Sequence, residues 1–174
     1  TLTKHCEARG IGVSTVAEIS LHKSYGKYGS TQIREALRDG DVFFAAHMLS
    51  RPWIVDGEVV HGDHLGRTLG FPTANLYFND RIRPKAGIYA AQCRLDGEEK
   101  WRHGVAYVGS RPTVDGSDHR LEMHIFDFDE DIYGRIIEVA FRSFIRGDIK
   151  FDGLDALTTQ MAKDASGARA VFGI

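Results

Sequence analysis

The sequence predicts a mainly β fold, an antiparallel barrel or sandwich with a helix packed on it. Three observations carry that expectation. From Trp53 onward apolar and polar residues alternate with a period of two. The alternating runs follow one another with no helical stretch between them, which favours antiparallel neighbours over crossover connections. The C-terminal stretch then changes to helical spacing. At 174 residues and 43% apolar, the chain suits one globular domain with an appendage and holds enough apolar side chain for a core.

The elements follow in order. Residues 1–20 read as a helix end, a Gly10-Ile11-Gly12 turn and a short strand over 13–19, and HKSYGKYG (22–29) as a loop. Ser30 is placed to cap a helix carrying Ile33 and Leu37 that stops at Gly40; Asp41 is placed to cap a second, through Leu49 and ended by Pro52. This region has too little apolar material to close its own core, so residues 1–50 read as the tail of a neighbouring domain. Thr1 in place of Met fits a chain whose natural start lies upstream. WIVDGEVVH (53–61) and GIYAAQCRL (87–95) read as strands. Asp96-Gly97 is a hairpin turn leading to a strand from Lys100. HRLEMHIFDF puts Leu121, Met123 and Ile125 on one face with Glu122 and His124 on the other. GRIIEVAFRSF does the same with Ile137, Val139 and Phe141. Asp152 is placed to cap a last helix whose stripe is Leu154, Leu157, Met161, Ala165 and Phe172.

Several function classes are disfavoured. A formal net charge of −2 supplies no basic field for nucleic acid or an anionic membrane. No apolar run has the length of a membrane span. Two distant cysteines, Cys6 and Cys93, do not make a disulfide scaffold and fit a reducing cytoplasm.

GRTLGFPTAN (66–75) concentrates unusual chemistry. Its glycines allow close backbone approach, and its amides, hydroxyls and Arg67 can meet an anion. Pro72 holds Phe71 extended, so Thr73 and Asn75 alternate onto one side as two hard oxygen donors. Such a pair suits a hydrated Mg²⁺ bound largely through substrate phosphates, although a tight structural turn would use many of the same residues. Glu122 is a candidate base if its face looks into a cavity; alternation alone would make that face solvated. His61, Asp63 and His64 lie within four residues, but the two histidines have no third and fourth ligand at a recognisable zinc spacing and read as loop histidines. The acidic run DFDEDIYG (127–134) reads as a solvated hairpin tip.

GDHLGRTLGFPTANL, GIYA, VGSRPTV, LEMHIFDFDEDIYG and KFDGLDAL together resemble the riboflavin kinase module of the bacterial bifunctional riboflavin kinase/FAD synthetases. The resemblance covers about residue 51 to the end and implies a closed, Greek-key-type antiparallel barrel with a C-terminal helix, preceded by a short α/β remnant. STQIREALRDGDVFFAAHMLSRPW resembles the end of the adenylyltransferase domain, with Gly29 where the family usually begins a Ser-Ser-Thr run. The division implied is an adenylyltransferase remnant over 1–50 and a kinase domain over 51–174. The family's His-x-Gly-His nucleotide motif would lie upstream of Thr1, so FMN is expected from this chain and FAD is not. The resemblance implies Mg²⁺ and ATP phosphates at Thr73 and Asn75, an ATP loop of Gly62, Gly66, Arg67 and Gly70, and Tyr133 near ATP. It implies Glu122 as the base toward the riboflavin 5′-hydroxyl, with Arg146 and Phe151 on the flavin side. Two readings from other classes compete: a non-catalytic flavin- or nucleotide-binding barrel, and an oligonucleotide-binding barrel, which the acidic run disfavours.

Overall fold

The computed structural model describes residues 2–14, 29–113 and 116–174. The chain divides into two compact units, Thr1–Ser30 and Thr31–Ile174. In the first, α1 (Leu2–Glu7) ends in a turn where Arg9 donates to the His5 carbonyl at 3.1 Å. The strand expected over 13–19 and the loop over 22–29 fall largely outside the described residues.

The second unit opens with two short helices. Helix α2 (Ser30–Asp39) buries Ala36 and Leu37. It stops at Gly40, whose φ of +85° is left-handed and whose missing Cβ would press on Lys85 and Phe144 at 3.3 Å. Asp41 caps α3 (Val42–Leu49), its Oδ1 accepting from the Phe44 amide at 2.9 Å. Helix α3 lies against strand β6 (Ile136–Arg146), and the Lys85 amide donates to the Leu37 carbonyl at 2.9 Å. The compact unit thus begins at Thr31, before Arg51, and both helices share it with the barrel. Their few apolar residues complete the barrel's packing.

The remaining strands are β1 (Ile54–Glu58), β2 (Ala74–Tyr77), β3 (Gly87–Leu95), β4 (Arg102–Thr113) and β5 (Gly116–Ile125). With β6 they form one sheet in the order β1-β6-β3-β4-β5-β2, every pair antiparallel. The sheet nearly closes on itself. Beyond β1 the chain changes partner: Val59 still donates to Arg135 on the β6 side, while Val60 donates to the Asn75 carbonyl of β2 at 2.9 Å. The run 53–61 is therefore a shorter strand than its alternation predicts, because its end crosses the seam.

Leu121, Met123, Ile137, Val139 and Phe141 are fully buried inside the barrel, beside Tyr89. Tyr89 meets Phe141 edge-on and donates its hydroxyl to the Lys85 carbonyl. The Asp96-Gly97 turn forms as expected, Gly97 at φ +80°.

Helix α5 (Leu154–Phe172) follows the barrel. Its N-cap is Gly153, in extended backbone and with no side-chain cap bond, so Asp152 stands one residue too early to cap. Asp155 supplies the favourable negative charge in the first turn instead. Ala168 of α5 is buried against Ala90 and Phe126, with Val105, Ile145, Ala165 and Phe172 around them. The helix therefore covers part of the outer surface of the barrel. A face that alternation alone would leave in water is roofed.

Candidate active site

Three strands bring three polar side chains into one row. In the β4–β5 ladder Tyr107 stands opposite Glu122, and in the β2–β5 ladder Asn75 stands opposite the same Glu122. Residues directly opposite in an antiparallel pair share a face. Leu121 and Met123 point into the core, so Tyr107, Glu122 and Asn75 point out of it. They enter a cavity of about 330 Å³ also lined by Gly66, Phe71, Thr73, Ile88, His124, Arg146, Asp148, Phe151 and, from α5, Leu157, Met161 and Asp164. That volume lies within the usual range for a small-molecule site, roughly 300–1,000 Å³. Glu122 thus looks into a hollow between the outer barrel wall, α5 and the loops, and is half-buried there.

The loop preceding β2 is shaped by glycines. Residues Leu65–Thr68 make one helical turn, α4, and Gly70 follows at φ +84° to reverse the chain. The Phe71 amide donates to the Gly66 carbonyl at 2.8 Å. A Cβ on Gly66 would lie 2.4 Å from the Phe71 carbonyl oxygen and 3.5 Å from Thr73 Oγ1. A Cβ on Gly62 would lie 2.5 to 2.7 Å from the amide group of Asn75. Two glycines thus keep open the space around the two oxygen donors. Asn75 is buried, and its Nδ2 donates to the Thr73 carbonyl at 3.2 Å, which orients Oδ1 as the available acceptor. The cradle and its neutral oxygens fit a hard divalent cation that takes most of its ligands from phosphate and water. Among the described residues, no group of three or more His, Cys, Asp or Glu side chains converges as a metal site.

Thr73 also borders a second, more open hollow with Arg67, Asp129, Glu130, Asp131 and Tyr133. The acidic run is therefore not wholly a solvated tip, and its Ile132 is buried. The Tyr133 ring stacks on His61 with centroids 3.9 Å apart, and its hydroxyl lies 3.4 Å from His64 Nδ1. His61 and His64 thus hold two loops together as aromatic contacts. Gly70 borders neither hollow; its part is the turn. Arg146 and Phe151 reach the first cavity, the guanidinium carbon 6.0 Å from the ring centroid.

Two titratable groups in the row's surroundings are shifted. Burial lowers the His124 pKa, partly opposed by its hydrogen bond to the Pro72 carbonyl, which lies 2.9 Å from Nδ1. The carbonyl can only accept, so Nδ1 carries the proton and the ring ties β5 to the Pro72–Asn75 segment. Burial, with the carboxylates of Asp148 and Glu122 nearby, pushes the Tyr107 phenol up to about 12. It stays an O–H donor at any physiological pH. Tyr107, Asp148 and Asp164 escape sequence reasoning. A carboxylate at Asp164 amid the apolar stripe Leu157, Met161, Ala165 and Ala168 is the signal that could have found it.

The Flavokinase model, described as riboflavin kinase, matches residues 49–172. The chain belongs to the riboflavin kinase family. Its curated relatives include the bifunctional riboflavin kinase/FMN adenylyltransferase of Haemophilus influenzae, 44% identical over 146 residues, 84% of this chain and 47% of that protein. The Bacillus subtilis protein of the same description is 39% identical over 150 residues, 84% of this chain and 47% of that protein. This chain spans about half the length of these relatives. Among solved structures it is similar to a macrolide-efflux protein from Streptococcus pneumoniae, with TM-score 0.81, 37% identity and coverage of 88% of this chain and 50% of that one. A riboflavin kinase from Trypanosoma brucei shares the fold at TM-score 0.50 and 22% identity, covering 70% of this chain and 80% of that one. Family membership makes the barrel a kinase fold of the expected kind. Among the described residues, no helix is long and apolar enough to cross a membrane.

Proposed function

We propose that this chain transfers the γ-phosphoryl group of ATP to the ribityl 5′-hydroxyl of riboflavin, forming FMN and ADP. The observation that carries the reading is the row Tyr107–Glu122–Asn75. It sets a carboxylate beside an oxygen-donor cradle inside a cavity large enough for a ring system. Family membership supports the substrate pair.

In this reading Glu122 accepts the proton of the 5′-hydroxyl as the oxygen attacks the γ-phosphorus. The O5′–P bond forms, the bond from phosphorus to the β,γ-bridging oxygen breaks, and ADP departs. Such transfers depend on positioning and charge neutralisation more than on covalent participation by the protein. Thr73 and Asn75 would hold Mg²⁺, which when bound neutralises phosphate charge. Arg67 and Tyr133, with the loop shaped by Gly62, Gly66 and Gly70, take the nucleotide side; Arg146 and Phe151 take the flavin side. The Tyr107 hydroxyl, kept protonated, donates within the same cavity. Residues 1–50 correspond to the end of an adenylyltransferase domain and 51–174 to the kinase domain, and the protein acts in the cytoplasm.

Incubation with riboflavin and MgATP followed by chromatography tests the reaction. FMN and ADP should appear in equal amounts. Binding of both compounds without FMN would leave the non-catalytic barrel as the better reading.

A further inference from the structure

The most deeply buried carboxylate at the cavity belongs to α5. Asp164 is 4% exposed and receives two bonds from one guanidinium: Arg146 Nε at 2.9 Å on Oδ1 and Nη2 at 2.6 Å on Oδ2. Gln160, one helical turn earlier, donates to the same Oδ1 at 2.9 Å. The remaining terminal nitrogen, Nη1, donates to the Gly147 carbonyl at 2.9 Å. Every nitrogen of the fork is therefore committed within its own plane, so the plane has one orientation. The guanidinium carbon lies over the Phe151 ring, and both residues line the cavity with Asp164.

The pair also joins two distant points of the chain. Arg146 is the last residue of β6 and Asp164 lies in the middle of α5. Between them runs the segment 147–153, which sends Asp148, Ile149 and Phe151 into the cavity. A fork closed at its base fixes where that segment starts and how its aromatic ring is presented. Burial of an ion pair is a poor route to stability alone, since two well-packed apolar residues commonly serve as well. Its geometry here serves orientation. Arginine is suited to this because its fork matches a carboxylate and its flat face meets rings.

We propose that Asp164 is a positioning residue for the aromatic half of the substrate. It acts through Arg146, holding the guanidinium plane and the Phe151 segment in the arrangement that receives a planar ring system. This rests on the riboflavin reading above. Loss of Asp164 should weaken capture of the flavin ring and leave the nucleotide side, formed by Thr73, Asn75 and Arg67, unaffected.

Steady-state kinetics on the full 174-residue chain test it, with riboflavin and MgATP varied separately. The parent protein must first make FMN; no product there refutes the functional reading itself. With an active parent, Asp164→Asn is expected to raise KM for riboflavin about tenfold or more, with kcat and KM for ATP within about twofold. Arg146→Lys keeps the charge but loses the fork and should give a similar split. In the Arg146→Lys background, adding Asp164→Asn should change KM for riboflavin no more than about twofold, since both residues act through one plane. Should Asp164→Asn fail to fold, Asp164→Glu, which keeps the charge but shifts it by one methylene, carries the same comparison. Riboflavin KM at the parental value in the folded Asp164 variant overturns the proposal. So does an equal rise in both KM values, or full additivity in the double variant.

Discussion

A single methyl group placed at Gly62 should disable the site while leaving the fold in place. The Cβ of Gly62→Ala would stand 2.5 Å from Asn75 Nδ2 and 2.7 Å from its Cγ and Oδ1, where ordinary contact begins near 3.4 Å. The amide must therefore give by about 1 Å. It has little room: Asn75 is 6% exposed, its Nδ2 is tied to the Thr73 carbonyl, and its own carbonyl accepts from Val60. Rotating the side chain removes the clash only by moving Oδ1, the atom proposed to hold the metal. A misplacement of about 1 Å in a positioning group costs on the order of 10²-fold in rate. That corresponds to about 2.7 kcal/mol of transition-state stabilisation. The backbone at Gly62 is not left-handed, so alanine is conformationally permitted. Its restriction of the unfolded chain is worth about 0.4–1 kcal/mol in the opposite direction to the clash. FMN formation with ATP and Mg²⁺ titrated, beside a thermal melt, measures both. Gly167→Ala in α5, where a Cβ meets nothing within 4 Å, is the control and should be neutral or stabilising. Parental kcat/KM and metal dependence in a folded Gly62→Ala protein would refute the cradle argument.

Other outcomes follow from the same geometry. Glu122→Gln should lower kcat by roughly 10²–10⁴ while both substrates still bind and stability moves by less than about 1 kcal/mol; near-parental turnover would pass the role of base to His124. Thr73→Ala and Asn75→Ala should each weaken metal-dependent ATP binding, read by calorimetry, since each removes an oxygen from a sparse donor set; unchanged MgATP binding in both would leave them as turn formers. His124 has a folded pKa lowered by burial, so its contribution to stability is present above its ordinary value of 6.5 and is lost as pH falls through the depressed folded value. The parent should therefore lose stability more steeply than His124→Asn from pH 6.5 toward about pH 5, by at most about 1.4 kcal/mol per pH unit. Parallel melting curves for the two proteins would show that His124 titrates alike in both states.

Much of the barrel was legible because period-two alternation is imposed by burial on one face. Strand β3 has the predicted bounds, and the predicted core residues of β5 and β6 are buried. The end of β1 was not, since an alternating run carries no mark of where the chain changes partner. Glu122 and Asn75 stood out singly in the sequence, but their adjacency depends on the register of β5 against β2, which is a property of pairing and not of either strand. Tyr107 became visible only through the second ladder. The shelter over Glu122 was illegible for a related reason: alternation distinguishes two faces of a strand without telling whether a helix far along the chain covers the outer one. Asp164 was masked by its partner, because a charge on an apolar stripe is explained only once Arg146 is known to meet it.

The barrel's closure has a mechanical consequence. Five neighbouring strand pairs are joined by ladders, that of β3 and β6 with register shifts, whereas among the described residues the segment just after β1 meets β2 through one isolated bridge between Val60 and Asn75. Asn75, in the bridge that completes the cylinder, is thus also one of the two oxygen donors of the cradle. A zipper opens where its last tooth engages, and here that tooth is at the site. The Gly62 side of the cradle adjoins that one backbone bridge, apart from the ladders that pair the named strands. The core around Tyr89 and Phe141 is held by other contacts, so the seam and the packing rest on separate interactions.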